Sequence, residues 1–147
     1  SYALVLTGNH IFTSGSPGTN AAAIRGALRA ERKFHFPSSL CACNVKKMTF
    51  RPFSIYTGSD LLTVVLPQSL AKQPEESQEL LEQVEDVIEN ARNDVLSLDV
   101  ASRICNSDLL SRTEQLIAFA FHDSGTVIEA TREAKSLDMV VTTLYLD

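Results

Sequence analysis

The chain has 147 residues, 44% of them hydrophobic, with 18 acidic against 13 basic side chains and a formal net charge of −5. That length and apolar content support one domain with a buried core. The acidic balance argues against a broad electrostatic grip on nucleic acid and leaves room only for a local basic pocket. No apolar run reaches membrane-spanning length. Three cysteines, Cys41, Cys43 and Cys105, have no CxxC spacing. They read as free thiols of a soluble protein in a reducing compartment, cytoplasm or organelle stroma, rather than as metal ligands.

Tyr2, Leu4, Val5 and Leu6, followed by Gly8 and Asn9, read as the last turns of a helix and its C-cap. A chain that opens on a helix tail, at Ser1 rather than Met, suggests an N-terminal truncation that would have taken any targeting peptide with it. Residues 10–13 predict a short strand, and Thr19 or Asn20 is expected to cap a helix running to Arg32. "LLTVVL", residues 61–66, is a nearly continuous apolar run of the kind that suits a parallel strand covered on both faces. Pro74-Glu75-Glu76 starts the next helix, with acids in its first turn. Leu80, Leu81, Val84, Val87 and Ile88 continue it as one apolar face.

Residues 95–98 read as extended, and residues 99–112 as a helix burying Val100, Ile104, Leu109 and Leu110. "LIAFAF", residues 116–121, is a second buried strand. The turn at residues 122–126 leads into a helix over 127–136, and residues 139–145 close as a third strong strand. Strands alternating with helices predict an α/β domain with a parallel sheet and right-handed crossovers.

One segment departs from this alternation. Residues 33–59, "KFHFPSSLCACNVKKMTFRPFSIYTGS", hold four basic residues, no acidic ones, and four of the seven phenylalanines. They show no periodicity, and without them the helix ending "RAER" would run straight to "DLLTVVL" by a loop of ordinary length. The segment reads as a disordered insertion within a single domain spanning 1–147. A basic, aromatic flap that stacks on a single strand, or retained non-coding sequence, are the alternatives.

In open parallel sheets, ligands bind at the carboxyl ends of the strands. Three turns rich in small residues leave such ends here: residues 14–20, 67–69 and 122–126. Backbone N–H groups at a helix start, with hydroxyls beside them, give several donors to an anion. The first turn, Gly15-x-x-Gly18, is neither G-x-G-x-x-G nor a P-loop, since no lysine follows it. The candidate phosphate-binding residues are Ser14, Gly15, Ser16, Gly18, Thr19 and Asn20 in the first turn and Ser124, Gly125 and Thr126 in the last.

Arg25, on the first helix, is a candidate to reach a phosphate, against the reading of a solvated surface arginine. Arg103 and Asn106, one turn apart, suit a phosphate and a base or backbone edge, against a helix-surface salt bridge for Arg103. His122 beside Asp123 reads as structural. No Ser-His-Asp, Cys-His or metal-ligand spacing stands out, so no catalytic residue, metal or cofactor is expected.

"TSGSPGTNAAAIRGAL" resembles a segment of the DNA-processing protein A, or DNA recombination-mediator, family: Ser-Gly-x-x-x-Gly-x-x-x-Ala-Ala-x-Arg-Gly-Ala-Leu. Ser14, Gly15, Ala22, Ala23, Arg25, Gly26, Ala27 and Leu28 occupy like positions, with Gly18 shifted by one place. "SRICNSDLLSRTEQLIAFAFHDSGTVIEATREA" resembles the same family's Arg-Asn helix, apolar strand and second glycine turn through Asn106, Ser124 and Gly125.

The resemblance covers most of the chain outside 33–59. It implies a Rossmann-like fold whose turns bind single-stranded DNA, and a role in DNA processing with a recombinase as partner. It also implies that the family's first strand lies upstream of Ser1. An open edge and apolar gap would then favour poor solubility or a homodimer. Ser16-Pro17 stand where the family has a basic residue, and Cys105 stands where it has the arginine before the asparagine. The pocket is accordingly less basic, which makes a free nucleotide the rival ligand.

Gly125-Thr126-Val127-Ile128-Glu129 is similar to the second half of Gly-Gly-x-Gly-Thr-x-x-Glu, the signature of the lysine-decarboxylase-like phosphoribohydrolases. In that register the group's catalytic arginine falls on Asn106 and its leading glycine pair on His122-Asp123. Loss of that cation ranks nucleoside-monophosphate hydrolysis below binding. A non-catalytic interaction module is the third alternative.

Overall fold

The structure, a computed structural model, describes residues 1–34, 61–121 and 123–146. The segment read as an insertion therefore lies outside the described residues from position 35 onward, as does His122, while Lys33 and Phe34 belong to a helix.

Helix α1, Tyr2–Leu6, is short and sharply terminated. Gly8 adopts φ +82°, its N–H donates to Val5 O at 2.9 Å, and Asn9 N–H donates to Leu4 O at 3.0 Å. These paired bonds are a Schellman cap, with glycine at the left-handed position. Strand β1, Ile11–Ser14, leads into helix α2, Thr19–Phe34. After the undescribed stretch come strand β2, Leu62–Val65, helix α3, Glu75–Leu81, and strand β3, Asp86–Ile88.

The three strands are parallel in the order β1-β2-β3. Ile11 to Ser14 lie opposite Leu62 to Val65, and Thr63 to Val65 lie opposite Asp86 to Ile88. Burial on both faces explains why "LLTVVL" is apolar throughout. Leu62, Val64 and Leu66 form one core with Val5 of α1, Ile24 and Ala27 of α2, and Leu81 of α3. Val65, buried outside that cluster, meets helix α4, Leu98–Ser111, where the Cys105 thiol donates to Val65 O at 3.2 Å.

Strand β4, Gln115–Ala120, helix α5, Gly125–Ser136, and strand β5, Val140–Tyr145, complete the order. β4 and β5 pair in parallel from Gln115 opposite Val140 to Ala120 opposite Tyr145. Among the described residues they form a sheet separate from the three-stranded one. The chain is thus an α/β protein, with a parallel three-stranded sheet flanked by helices in a Rossmann-like arrangement. No helix among the described residues is long and apolar enough to cross a membrane.

Several elements differ from the sequence reading. The apolar face begun at Leu80 does not run to Ile88, because α3 ends at Leu81 and Val87 and Ile88 lie in β3. The spacing matched a helix because Val84, buried in the turn between them, fills the same core from outside the helix. Of residues 95–98 only Leu96 and Ser97 have extended backbone: Ala91–Val95 is a 3₁₀ turn and α4 starts at Leu98. On α4 the buried positions are Ala101, Cys105 and Leu110, whereas Val100 and Ile104 are exposed. Small side chains let α4 approach β1 and β2 closely, and that turns its bulkier pair outward. "LIAFAF" is buried on one face only, through Ala118 and Ala120.

Candidate functional site

The carboxyl end of β1 and the start of α2 carry a polar cluster. Thr13 Oγ1 donates to Asn20 Oδ1 at 3.0 Å, Asn20 Nδ2 donates to Ser14 Oγ at 3.0 Å, and Ser14 Oγ donates to Ser16 Oγ at 3.2 Å. Asn20 therefore sits inside the helix and ties the strand end to it, instead of capping the helix from outside. Thr19 is likewise the first helical residue. The two glycines of this turn have different reasons. Gly15 is buried, and a Cβ there would overlap the Leu66 side chain and press on Leu81, so packing demands it. Gly18 has φ +80° and open space around it, so backbone conformation demands it.

Gly18 and Thr19 are exposed, and the first N–H groups of a helix lack partners within it. The arrangement therefore presents backbone donors, the Ser16 hydroxyl and the helix dipole to one side of the turn. Arg25 is exposed six residues further along α2, roughly 9 Å of helix rise from Thr19. Helical side chains lean back toward the N-terminus, which brings a long arginine nearer to the turn.

Arg103, Asn106 and Thr126 come together elsewhere, between α4 and α5. They line a cleft of about 50 Å³ with Ser107, Glu129 and Glu133. That volume is small, enough to enclose a few waters, and the cleft is open to solvent on one side. Arg103 is committed there: its Nη1 lies 2.7 Å from Glu129 Oε2 and its Nε 3.2 Å from Asp99 Oδ2. Ser107 Oγ donates to Glu133 at 2.9 Å. One cation, Arg103, against two carboxylates, Glu129 and Glu133, gives the cleft lining a negative balance. Both side chains of the Arg103–Glu129 pair are about half exposed, so the pair is worth no more than about 1 kcal/mol.

The turn before α5 is internally bonded. Phe121 N–H donates to Ser124 Oγ at 3.0 Å and Gly125 N–H donates to Asp123 O at 2.8 Å. Gly125 itself faces open space. Among the described residues no hydrogen bond or ion pair joins the Ser14–Asn20 cluster to the Arg103–Thr126 cleft.

The third turn, after β2, is filled by the chain's own acids. Ser69 N–H donates to Asp94 Oδ1 at 2.8 Å and Leu70 N–H donates to Glu89 Oε2 at 2.8 Å. Asn90 and Asn93 bond the carbonyls of Leu66 and Pro67, and Gln68 bonds back to those of Asn93 and Leu96. The Ser69 N–H holds the Asp94 carboxyl below its ordinary value. These partners are 19 to 28 residues apart, a pairing with no local signature in the sequence.

Two further arrangements lie away from the carboxyl edge. His10 Nε2 is 2.8 Å from Thr63 Oγ1, which in turn donates to Asp86 Oδ2, at the amino ends of the strands. A threonine that gives its proton to an aspartate is not a nucleophile activated by histidine. Burial, with Asp108 nearby, pushes the Cys105 thiol up to about 12, so it is not a thiolate near neutrality. Among the described residues no group of three His, Cys, Asp or Glu side chains could hold a metal ion. No family model, curated protein or solved structure matches the chain.

Proposed function

We propose that the chain binds a phosphorylated nucleotide, with single-stranded DNA as the first candidate, at the carboxyl edge of the three-stranded sheet. The observation that carries this reading is the Ser14–Ser16–Asn20 cluster, which ties the end of β1 to an exposed helix start. Backbone N–H groups of the first turn of α2 and the Ser16 hydroxyl are the donors, and Arg25 supplies the nearest cation along the helix. The DNA-mediator resemblance of this stretch selects DNA among nucleotide ligands, with a recombinase as the partner it suggests.

Fluorescence anisotropy with a labelled single-stranded oligonucleotide, competed by a nucleoside monophosphate, tests the reading. With Arg25 as the one cation placed near this turn among the described residues, the salt slope should be shallow, corresponding to one or two phosphates. Asn20→Ala and Arg25→Ala should each weaken binding about tenfold, the loss of one hydrogen-bonded anchor or one charge. Retention of wild-type affinity in both variants would move the site elsewhere. Failure of oligonucleotide and monophosphate alike would end the nucleotide reading and favour a non-catalytic interaction module.

Asn106, Thr126 and Glu129 do share one cleft, and this supports a second reading, nucleoside-monophosphate phosphoribohydrolysis. It predicts release of free base that is lost in Glu129→Ala. The Arg103 contact to Glu129 and the small cleft place it second.

A further inference from the structure

Among the described residues the β4–β5 sheet has one covered and one bare face. Strand alternation and the observed register put Gln115, Ile117 and Phe119 on the same side as Val140, Thr142 and Leu144. Leu146 N–H donates to Ala120 O at 3.0 Å, which carries the pattern one step further to Phe121 and Leu146. The opposite side holds the buried Ala118 and Ala120 and meets α5. On the bare side Ile117, Phe119, Phe121, Val140, Leu144 and Leu146 are all exposed, from 39% at Phe119 to 64% at Val140.

We propose that this face is a homodimer interface, closed by the same face of a second copy of the chain. Three observations select that occupant. The six residues expose on the order of 600 Å² together, the upper limit of patches on monomers and most of the roughly 800 Å² each partner gives to a stable interface. None of the eight positions facing that side is charged, although the chain carries −5 overall, so two copies can meet there without apposing like charges. The face belongs to an extended two-stranded sheet, and two such faces stack about 10 Å apart as in a sandwich, with each side chain meeting its symmetry mate's neighbours. The inference does not depend on the nucleotide site, which lies on the other sheet.

Sedimentation equilibrium of the full chain across 1–100 µM tests it. A dimer is expected, and Phe119→Lys with Leu144→Lys should convert it to monomer, because both side chains are already partly solvated and tolerate charge. Val100→Lys with Ile104→Lys, on the exposed apolar side of α4, should leave the dimer unchanged. In the unmodified protein, hydroxyl-radical labelling of Phe119 and Phe121 should fall several-fold as concentration rises through the dimerisation range, a readout independent of whether the variants fold. A monomer throughout would overturn the proposal. So would labelling that ignores concentration, or association that the α4 pair abolishes and the β4–β5 pair does not; the last would place the interface on α4 and away from this face.

Discussion

Two apolar hexapeptides, "LLTVVL" and "LIAFAF", occupy opposite halves of the molecule and end in opposite environments. In the first, Leu62, Val64, Val65 and Leu66 are 0–1% exposed, because α1, α2 and α3 cover one side of β2 and α4 reaches the other. In the second, only alternate residues are covered, and Phe121 is 52% exposed. The strands are similar in composition and both pair in parallel. What differs is the number of layers laid over them. An apolar strand records the burial it needs, and its neighbours determine whether that need is met.

The sharpest test of this contrast deletes side chains from each half. Leu66→Ala should cost about 2–5 kcal/mol by urea unfolding, as a cavity in a closed core. Leu144→Ala, measured at a concentration too low for association, should cost less than about 1 kcal/mol. Equal losses would mean that the β4–β5 face is covered within the monomer.

Next in size is Gly15→Ala, expected to destabilise by about 1–3 kcal/mol, because the new methyl overlaps Leu66 in a packed interior. Combined with Leu66→Ala, the same substitution should cost distinctly less, since the obstructing side chain is gone. If the two losses simply add, Gly15 is held by something other than that contact.

On the solvated side of the second half, Arg103→Ala should lower stability by no more than about 1 kcal/mol, and the difference should shrink further in 0.5 M salt. A larger, salt-insensitive loss would show that the α4–α5 contact depends on this pair more than its exposure indicates.

The smallest effect concerns the turn after β2, which belongs to the closed half. Asp94 has its folded-state pKa lowered from 3.8, chiefly by the Ser69 N–H. The unfolded chain therefore takes up the proton first as pH falls. Asp94 contributes stability above pH 3.8 that is lost as pH drops through its lower folded value. Asp94→Asn should remove that part of the acid-side decline in the unfolding midpoint and leave the slope above pH 5 unchanged.

Much of the candidate site was legible residue by residue. The glycine turn at residues 15–18, the helix after it and the strand before it all lie where their local patterns placed them, because turn and helix-start signals act within a few residues. Arg103 carried two readings in sequence, a phosphate contact or a surface ion pair, and its partners are Asp99, four residues away, and Glu129, on another helix. The first was visible by spacing and the second was not. The loss of the turn at 67–69 as an open anion site was likewise hidden, since its N–H groups are taken by Asp94 and Glu89 across a strand crossover.

By itself the sequence determined the α/β alternation, the parallel sense of the strands and the cap of α1, all of which follow from short-range periodicity and backbone preference. Tertiary structure decided the rest. It set Val87 and Ile88 in a strand, turned Val100 and Ile104 outward, closed one of three promising turns and left one side of β4–β5 bare. Each of these depends on which surface a residue meets across tens of positions in the chain. Hydrophobic spacing specifies that a face must be buried, and only the packed fold specifies what buries it.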